Sequence, residues 1–264
     1  MPLELVTIRC LADNYAFLVH NAETGETLLV DAPDAPPIQA ALDAQGWTLT
    51  DILLTHHHWD HVDGLPPLRG SARVIGAKAD AHRLPRLDLA VSEGDSVTIC
   101  GENAAVFDVS GHTMNHIAVH FPTSALLFSA DSLMALGCGR LFEGTPAQMW
   151  DSMQKLRALP DDTRLCSGHE YTETNARFAL TIEPDNAQLI SRIQTITKTR
   201  AAGLPTVPSD LGVEKYTNPF LRADRSTSIR DGPDWHRTCR RLRRYPQKTR
   251  CFLSCPKLRQ SHKK

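Results

Sequence analysis

The run THHHWDH at residues 55–61 places four side chains able to bind a metal ion, His56, His58, Asp60 and His61, within one short stretch. It follows the apolar segment DILL at 51–54, which reads as a buried strand. On an extended backbone, residues two apart share a side, so His56 and His58 are predicted to face one way and His57 the other. Asp60 and His61 follow as the chain turns. Imidazole and carboxylate are ligands suited to zinc, iron and manganese, and no thiolate lies nearby to indicate a structural cysteine site.

More candidates of the same kind stand after predicted strands: His112 in DVSGHT, Asp131 in LLFSADS and His169 in LCSGHEY. Gly111 and Gly168 each precede a histidine, where a sharp backbone bend would aim a ligand inward. Two cations about 3.5–4 Å apart can share a carboxylate and a water, lower the pKa of that water and polarise a carbonyl. The chemistry indicated is therefore metal-assisted hydrolysis. Ser110, Ser129 and Ser167 neighbour these candidates, but no G-x-S-x-G elbow is present, so they read as residues of backbone bends.

The elements that must position these groups follow from apolar periodicity and turn residues. Short runs rich in Val, Ile and Leu predict strands near 3–9, 15–20, 27–31, 51–54, 72–76, 96–100, 104–109, 116–121, 125–130 and 164–167. Ile38, Ala41 and Leu42 at helical spacing, ending in Gly46, predict one helix. A second begins with Thr145 as N-cap and Pro146 in its first turn, with Met149, Met153, Leu156 and Leu159 forming the face that meets a sheet. Residues 173–203 read as two helices broken at Pro184 and ended at Gly203, opening a small helical unit. Residues 204–222, with three prolines, read as an ordered loop over the surface. Two sheets covered by helices satisfy this order of elements.

Composition narrows the function classes. The chain of 264 residues can bury a substantial core. Its seven cysteines are scattered without a C-x2-C pair, which does not describe a secreted disulfide framework. The opening MPLELVTIRCLADN has no basic start followed by an apolar run, and no apolar stretch is long enough to span a bilayer. A cytoplasmic protein with no membrane partner is expected. Net charge is −1, yet residues 222–264 hold fourteen Lys and Arg against three acids, about +11, leaving about −12 for the remainder. That tail could be a solvated end or a nucleic-acid-binding segment. Nucleic acid is disfavoured, because no basic surface on the catalytic segment matches it.

Taken in order, T-H-x-H-x-D-H, G-H-T, S-A-D and G-H-E-Y resemble the metallo-β-lactamase superfamily. GCGRLFEGTPAQM (137–149), SGHEYTETNARFA (167–179), NPFLR (218–222) and LADNYAFLV (11–19) resemble its hydroxyacylglutathione hydrolases, the glyoxalase II family. The resemblance covers about residues 3–222. It implies an α/β fold, an αββα sandwich in residues 1–172 followed by a helical substrate-binding domain in 173–264. It further implies that His56, His58 and His112 hold one metal, that Asp60, His61 and His169 hold the second, and that Asp131 bridges them, with Asp60 and Asp131 as catalytic carboxylates. Asp31 matches an aspartate behind the ligands that orients their loop. Arg140 and Tyr171 match glutathione contacts. The cofactors implied are two divalent ions, zinc first, with iron or manganese as alternatives. The activity implied is hydrolysis of S-(2-hydroxyacyl)glutathione, chiefly S-D-lactoylglutathione, by a monomer. Other hydrolases of the superfamily, lactonase or nuclease-like, are the alternative. Past about Arg225 the family's R-x-x-K-D-like motif is not found, so residues 226–264 are expected not to form the usual terminal helix and glutathione affinity is expected to suffer.

Overall fold

The computed structural model describes residues 2–225. The expectation for residues 226–264 lies outside the described residues. The first sheet contains β1 (Glu4–Cys10), β2 (Asn14–His20), β3 (Thr27–Val30), β4 (Asp51–Leu54), β5 (Arg73–Ala77) and β6 (Leu89–Val91), in that spatial order. β1 to β3 pair antiparallel, whereas β3 to β6 pair parallel. The second sheet runs β14-β13-β10-β9-β8-β7, from β7 (Ser96–Ile99), β8 (Glu102–Asp108), β9 (Ile117–Phe121), β10 (Leu126–Ala130), β13 (Arg164–Ser167) and β14 (Ser209–Asp210). Between β10 and β13 a small hairpin, β11 (Leu133–Met134) with β12 (Gly137–Cys138), stands apart.

The two sheets pack face to face through their inward apolar side chains. Phe17 of the first sheet meets Phe128 of the second at 5.6 Å between ring centroids, and Phe121 stacks edge-on against Phe128 at 5.9 Å. β4 and β10 are buried along their whole length, as expected of strands covered on both faces. Outside the first sheet lies α1 (Ala35–Gln45), whose Ile38 and Leu42 are buried and whose end is capped by Gly46 at φ 67°. Two short turns, α2 (Trp59–Val62) and α3 (Leu65–Leu68), follow β4.

Outside the second sheet lies α4 (Pro146–Arg157), buried through Met149, Met153 and Leu156. Thr145 and Gln148 form a reciprocal capping box at its start, with Thr145 N donating to Gln148 Oε1 at 2.9 Å. The order helix, sheet, sheet, helix is the αββα sandwich expected. α5 (Thr172–Ile182) and α6 (Ala187–Ala201) add the helical region, broken around Pro184 and ended before Gly203.

Residues 204–222 are not a surface loop throughout. They contain β14 and α7 (Leu211–Thr217), and Leu211, Glu214, Thr217 and Asn218 are buried. The prolines at 205 and 208 keep the chain extended only up to Asp210, and Pro219 then follows the helix end. Glu214 secures this helix: its carboxylate accepts from Leu136 N at 2.8 Å and from Ser209 Oγ at 2.7 Å, and it pairs with Arg192.

Candidate metal centre

Loops leaving the same end of several strands converge on one point between the sheets. β4 delivers residues 55–61, the segment after β8 delivers His112, β10 delivers Asp131 and β13 delivers His169. Donor atoms of His56, His58 and His112 lie within 4.8 Å of one another, and so do those of Asp60, His61 and His169. Asp131 sits between the two groups. Its Oδ1 is 3.6 Å from His61 Nε2, while its Oδ2 is 3.5 Å from His112 Nε2 and 3.2 Å from His169 Nε2. All seven residues expected from sequence are thus brought together. His57 is not among them: it points away from the centre, with Nδ1 2.9 Å from Oδ2 of the buried Asp80.

The far nitrogens of the histidines are tied down, which decides which nitrogen faces the centre. His61 Nδ1 donates to Asp31 Oδ2 at 2.8 Å, His112 Nδ1 to the Arg140 carbonyl at 2.8 Å, and His169 Nδ1 to Asp13 Oδ1 at 3.0 Å. Asp31 also accepts from Thr55 N at 2.9 Å and Thr55 Oγ1 at 2.8 Å, and Thr55 Oγ1 in turn meets His56 Nδ1 at 3.1 Å. Asp31 lies within 4.8 Å of His56 and His61 as well, but those bonds occupy its oxygens, so it supports the donors from behind. It holds a left-handed backbone, φ 56°, at the end of β3, and Ala130 before Asp131 does likewise at 38°. Such strained conformations cluster where a site over-determines its geometry.

Space explains Gly168 better than bending does. A Cβ there would lie 2.4 Å from Asp131 Oδ1 and 2.8 Å from His61 Cε1, so any side chain would push into the centre. A Cβ on Gly111, at φ 154°, would lie 2.9 Å from Met149 Cε of α4. Sequence reasoning missed three supports: Asp13, the Arg140 carbonyl, and Asn14, whose Nδ2 donates to Asp60 Oδ2 at 3.1 Å and Asp60 O at 3.0 Å. The LADNY stretch was the available signal for two of them.

The chemistry of this donor set fits divalent cations. His56 Nε2, His61 Nε2 and Asp131 Oδ1 are buried without a hydrogen-bond partner, a costly arrangement unless a cation satisfies them. Burial pushes the His56 pKa well below its ordinary value, that of His58 to about 4 and that of His112 down, leaving lone pairs available. Burial also opposes charge on His61 and His169, but the Asp131 carboxylate outweighs it, lifting His61 well above the ordinary value and His169 to about 9. For Asp131, burial would favour the neutral acid, yet His169 and His61 hold its pKa well below the carboxylate range. The Asp131 carboxylate is therefore a concentrated negative charge between two histidine clusters.

Above the centre opens a cleft of about 440 Å³, whose lining includes Trp59, Met134, Arg140, Phe142 and Tyr171. The Tyr171 ring stacks on His169 at 4.7 Å between centroids, and the Arg140 guanidinium lies 5.0 Å over the Phe142 ring. Both residues expected to contact substrate thus border the cleft. Trp59 and Phe142 are 63% and 57% exposed, making an apolar rim. Ser129 donates to the Leu133 carbonyl at 2.7 Å and Ser110 accepts from Asn115 N at 2.8 Å, consistent with bends.

Two protein families match successive stretches of the chain. Residues 12–169 match the metallo-beta-lactamase superfamily and residues 170–248 match the hydroxyacylglutathione hydrolase C-terminus, so the match runs past the point where the sequence motif was lost. A hydroxyacylglutathione hydrolase of Ruegeria pomeroyi is 65% identical over 225 residues, 84% of this chain and 88% of that protein. One of Jannaschia sp. is 65% identical over 226 residues, 85% of this chain and 88% of its own. The crystal structure of the BLEG-1 B3 metallo-β-lactamase superposes with a TM-score of 0.64 at 22% identity, over 83% of this chain and 99% of that one, and shows the shared fold. TTHA1623 in a di-iron-bound form gives 0.59 at 25% identity, over 83% and 100%.

Proposed function

This chain belongs to the hydroxyacylglutathione hydrolase family of the metallo-β-lactamase superfamily, and from that premise we propose that the seven donors around Asp131 form a binuclear centre for hydrolysis of S-D-lactoylglutathione. The enzyme is a thioester hydrolase of methylglyoxal detoxification. The observation that carries the reading is the convergence of two His and Asp triads on Asp131, with buried donor atoms left unpartnered, beneath an open cleft.

His56, His58 and His112 would hold one divalent ion, Asp60, His61 and His169 the other, and Asp131 would contact both. Bound there, two cations supply hydroxide from water near neutral pH and polarise the thioester carbonyl. The chain's own groups do the positioning. Asp13, Asp31 and the Arg140 carbonyl fix which nitrogen of His169, His61 and His112 faces inward. Asp60 and Asp131 are the catalytic carboxylates, and Asn14 orients Asp60 from behind. Arg140 and Tyr171 receive the glutathione moiety at the cleft wall, where a guanidinium suits its carboxylates. The leaving thiolate has an ordinary pKa of about 8.5, so its departure needs no strong acid.

Zinc is the ion we favour, because this all-nitrogen and oxygen donor set is typical of hydrolytic zinc sites. Iron remains an alternative, supported by the di-iron form of TTHA1623. A cytoplasmic monomer acting on small thioesters completes the reading. No helix among the described residues is long and apolar enough to cross a membrane, and their four cysteines are buried. The test is to incubate the purified protein with S-D-lactoylglutathione, simple lactones and phosphodiesters. Thiol release matched one to one by D-lactate, with the other substrates turned over far more slowly, is expected. Faster turnover of a lactone or phosphodiester would move the function to another hydrolase of the superfamily.

A further inference from the structure

Beside the seven donors, one guanidinium connects three loops of the site. Arg83 follows the single turn Lys78–Asp80, and its Nη1 lies 2.6 Å from Glu143 Oε1 while Nη2 donates to the Met114 carbonyl at 3.0 Å. Its Nε pairs with Asp80, which is fully buried and whose other oxygen meets His57 Nδ1. Glu143 Oε2 accepts from Met114 N at 2.7 Å. Arg83 thereby touches the loop that carries His112 and the loop that carries Arg140 and Phe142, and reaches the THHHWDH loop through Asp80 and His57.

The loop of residues 139–144 depends on such anchoring. Its backbone rests on the His112 loop through Phe142 N to His112 O at 3.0 Å and Gly144 N to Gly111 O at 3.1 Å. The contact is close, since a Cβ on Gly144 would lie 2.6 Å from Gly111 Cα. Phe142 itself is largely exposed, so burial of its side chain contributes little to fixing the loop. The planar fork of arginine can hold several acceptors at once in a way an ammonium cannot.

We propose that Arg83 is a positioning residue for substrate recognition: through Glu143 and Met114 it seats the 139–144 loop so that Arg140 and Phe142 wall the cleft, without touching substrate itself. This rests on the thioesterase reading for its kinetic consequence, and on geometry alone for the ordering of the loop. The test compares wild type with Arg83→Met, Arg83→Lys and Glu143→Gln by metal content, by KM and kcat for S-D-lactoylglutathione, and by amide hydrogen exchange. For Arg83→Met, KM should rise about tenfold with kcat changed less than about twofold, both metals retained, and the Phe142 and Gly144 amides exchanging about tenfold faster while those of α1 are unchanged. Arg83→Lys should recover part of each change. Glu143→Gln removes the charge and one of the two acceptor oxygens of the same link from the loop side and should raise KM in the same direction, which keeps the proposal open to refutation if Arg83→Met does not fold.

Unchanged KM in the folded variants, loss of metal and kcat at unchanged KM, or exchange accelerated uniformly across the molecule would each overturn it. A wild-type protein without thioesterase activity would instead refute the function assigned above. The exchange measurement would still decide whether Arg83 holds the loop.

Discussion

Replacing Asp31 by asparagine tests how the centre is held rather than what binds there. Asp31 is buried and accepts three hydrogen bonds: from Thr55 N, Thr55 Oγ1 and His61 Nδ1, at 2.9, 2.8 and 2.8 Å. An amide of the same shape has one acceptor oxygen and one donor nitrogen. If its oxygen faces Thr55 N, its NH2 confronts the N–H of His61, which must shift its proton to Nε2 and lose the lone pair aimed at the metal. If the amide flips, a buried backbone N–H is orphaned instead. Either arrangement leaves a buried polar group mispaired, at about 1–3 kcal/mol, which for a chain of this size lowers Tm by roughly 2–10 °C. The loss of a group orienting a metal ligand typically costs about 10–100-fold in metal affinity, equivalent to about 1.4–2.8 kcal/mol. The weakened ion should be the one assigned to Asp60, His61 and His169, with the other less affected. Titrating metal-stripped protein against a competing chelator, beside a thermal melt, measures both effects. Two ions bound at wild-type affinity with an unchanged Tm would refute the claim that Asp31 sets the tautomer of His61.

The central carboxylate is sharper still: Asp131→Asn should lower both metal stoichiometry and turnover in elemental analysis and rate assays, because it removes the charge between the triads, whereas His57→Ala should keep its metals. Equal metal loss from His57→Ala and His56→Ala would contradict the placement of His57 away from the centre. Arg140→Ala and Tyr171→Phe should chiefly raise KM, by about tenfold for the former, or about 1.4 kcal/mol; steady-state kinetics showing kcat collapsing at constant KM would move them into the chemical step. Glu170 provides a pH test of the fold: burial pushes its pKa up, but hydrogen bonds from Thr206 and Tyr15, and the charge of Arg200, lower it further, so it is depressed overall. A depressed carboxyl contributes stability above its unfolded pKa of about 4.3 and loses it as pH falls through the folded value. In melts across pH, wild type should exceed Glu170→Gln near neutrality and the gap should close below about pH 4; a gap independent of pH would contradict this.

Local pattern carried the strands and the ligands because both leave short-range marks. β4 (DILL) and β10 (LLFSA) are short, mostly apolar and buried throughout, and the donors follow strand ends within a few residues. The alternation that separates His57 from His56 and His58 is likewise local. What escaped was held by distant partners. Asp13 reaches His169 across 156 positions, and the Arg140 carbonyl reaches His112 across 28, so spacing announces neither, and only the LADNY stretch marks Asp13. The missed helix α7 has only seven residues, and its buried Glu214 is satisfied by Leu136, Ser209 and Arg192. A helix that short draws its stability from tertiary contacts, and a glutamate in its middle reads as a solvated residue until its partners are known. β6, three residues long beside β5, is likewise too short to leave a periodic mark and is held by its pairing. The sequence marks Gly168 only as a bend, because the crowding that excludes a Cβ there comes from Asp131 and His61, distant in sequence.

The most direct test of the binuclear assignment is stepwise reconstitution. Metal is removed with a chelator, zinc is returned in measured equivalents per chain, and S-D-lactoylglutathione hydrolysis is followed at each point. The arrangement of two triads on one carboxylate predicts negligible turnover in the stripped protein and a rise that levels off at two equivalents. Full activity in verified metal-free protein, or a plateau at a single equivalent, would contradict it.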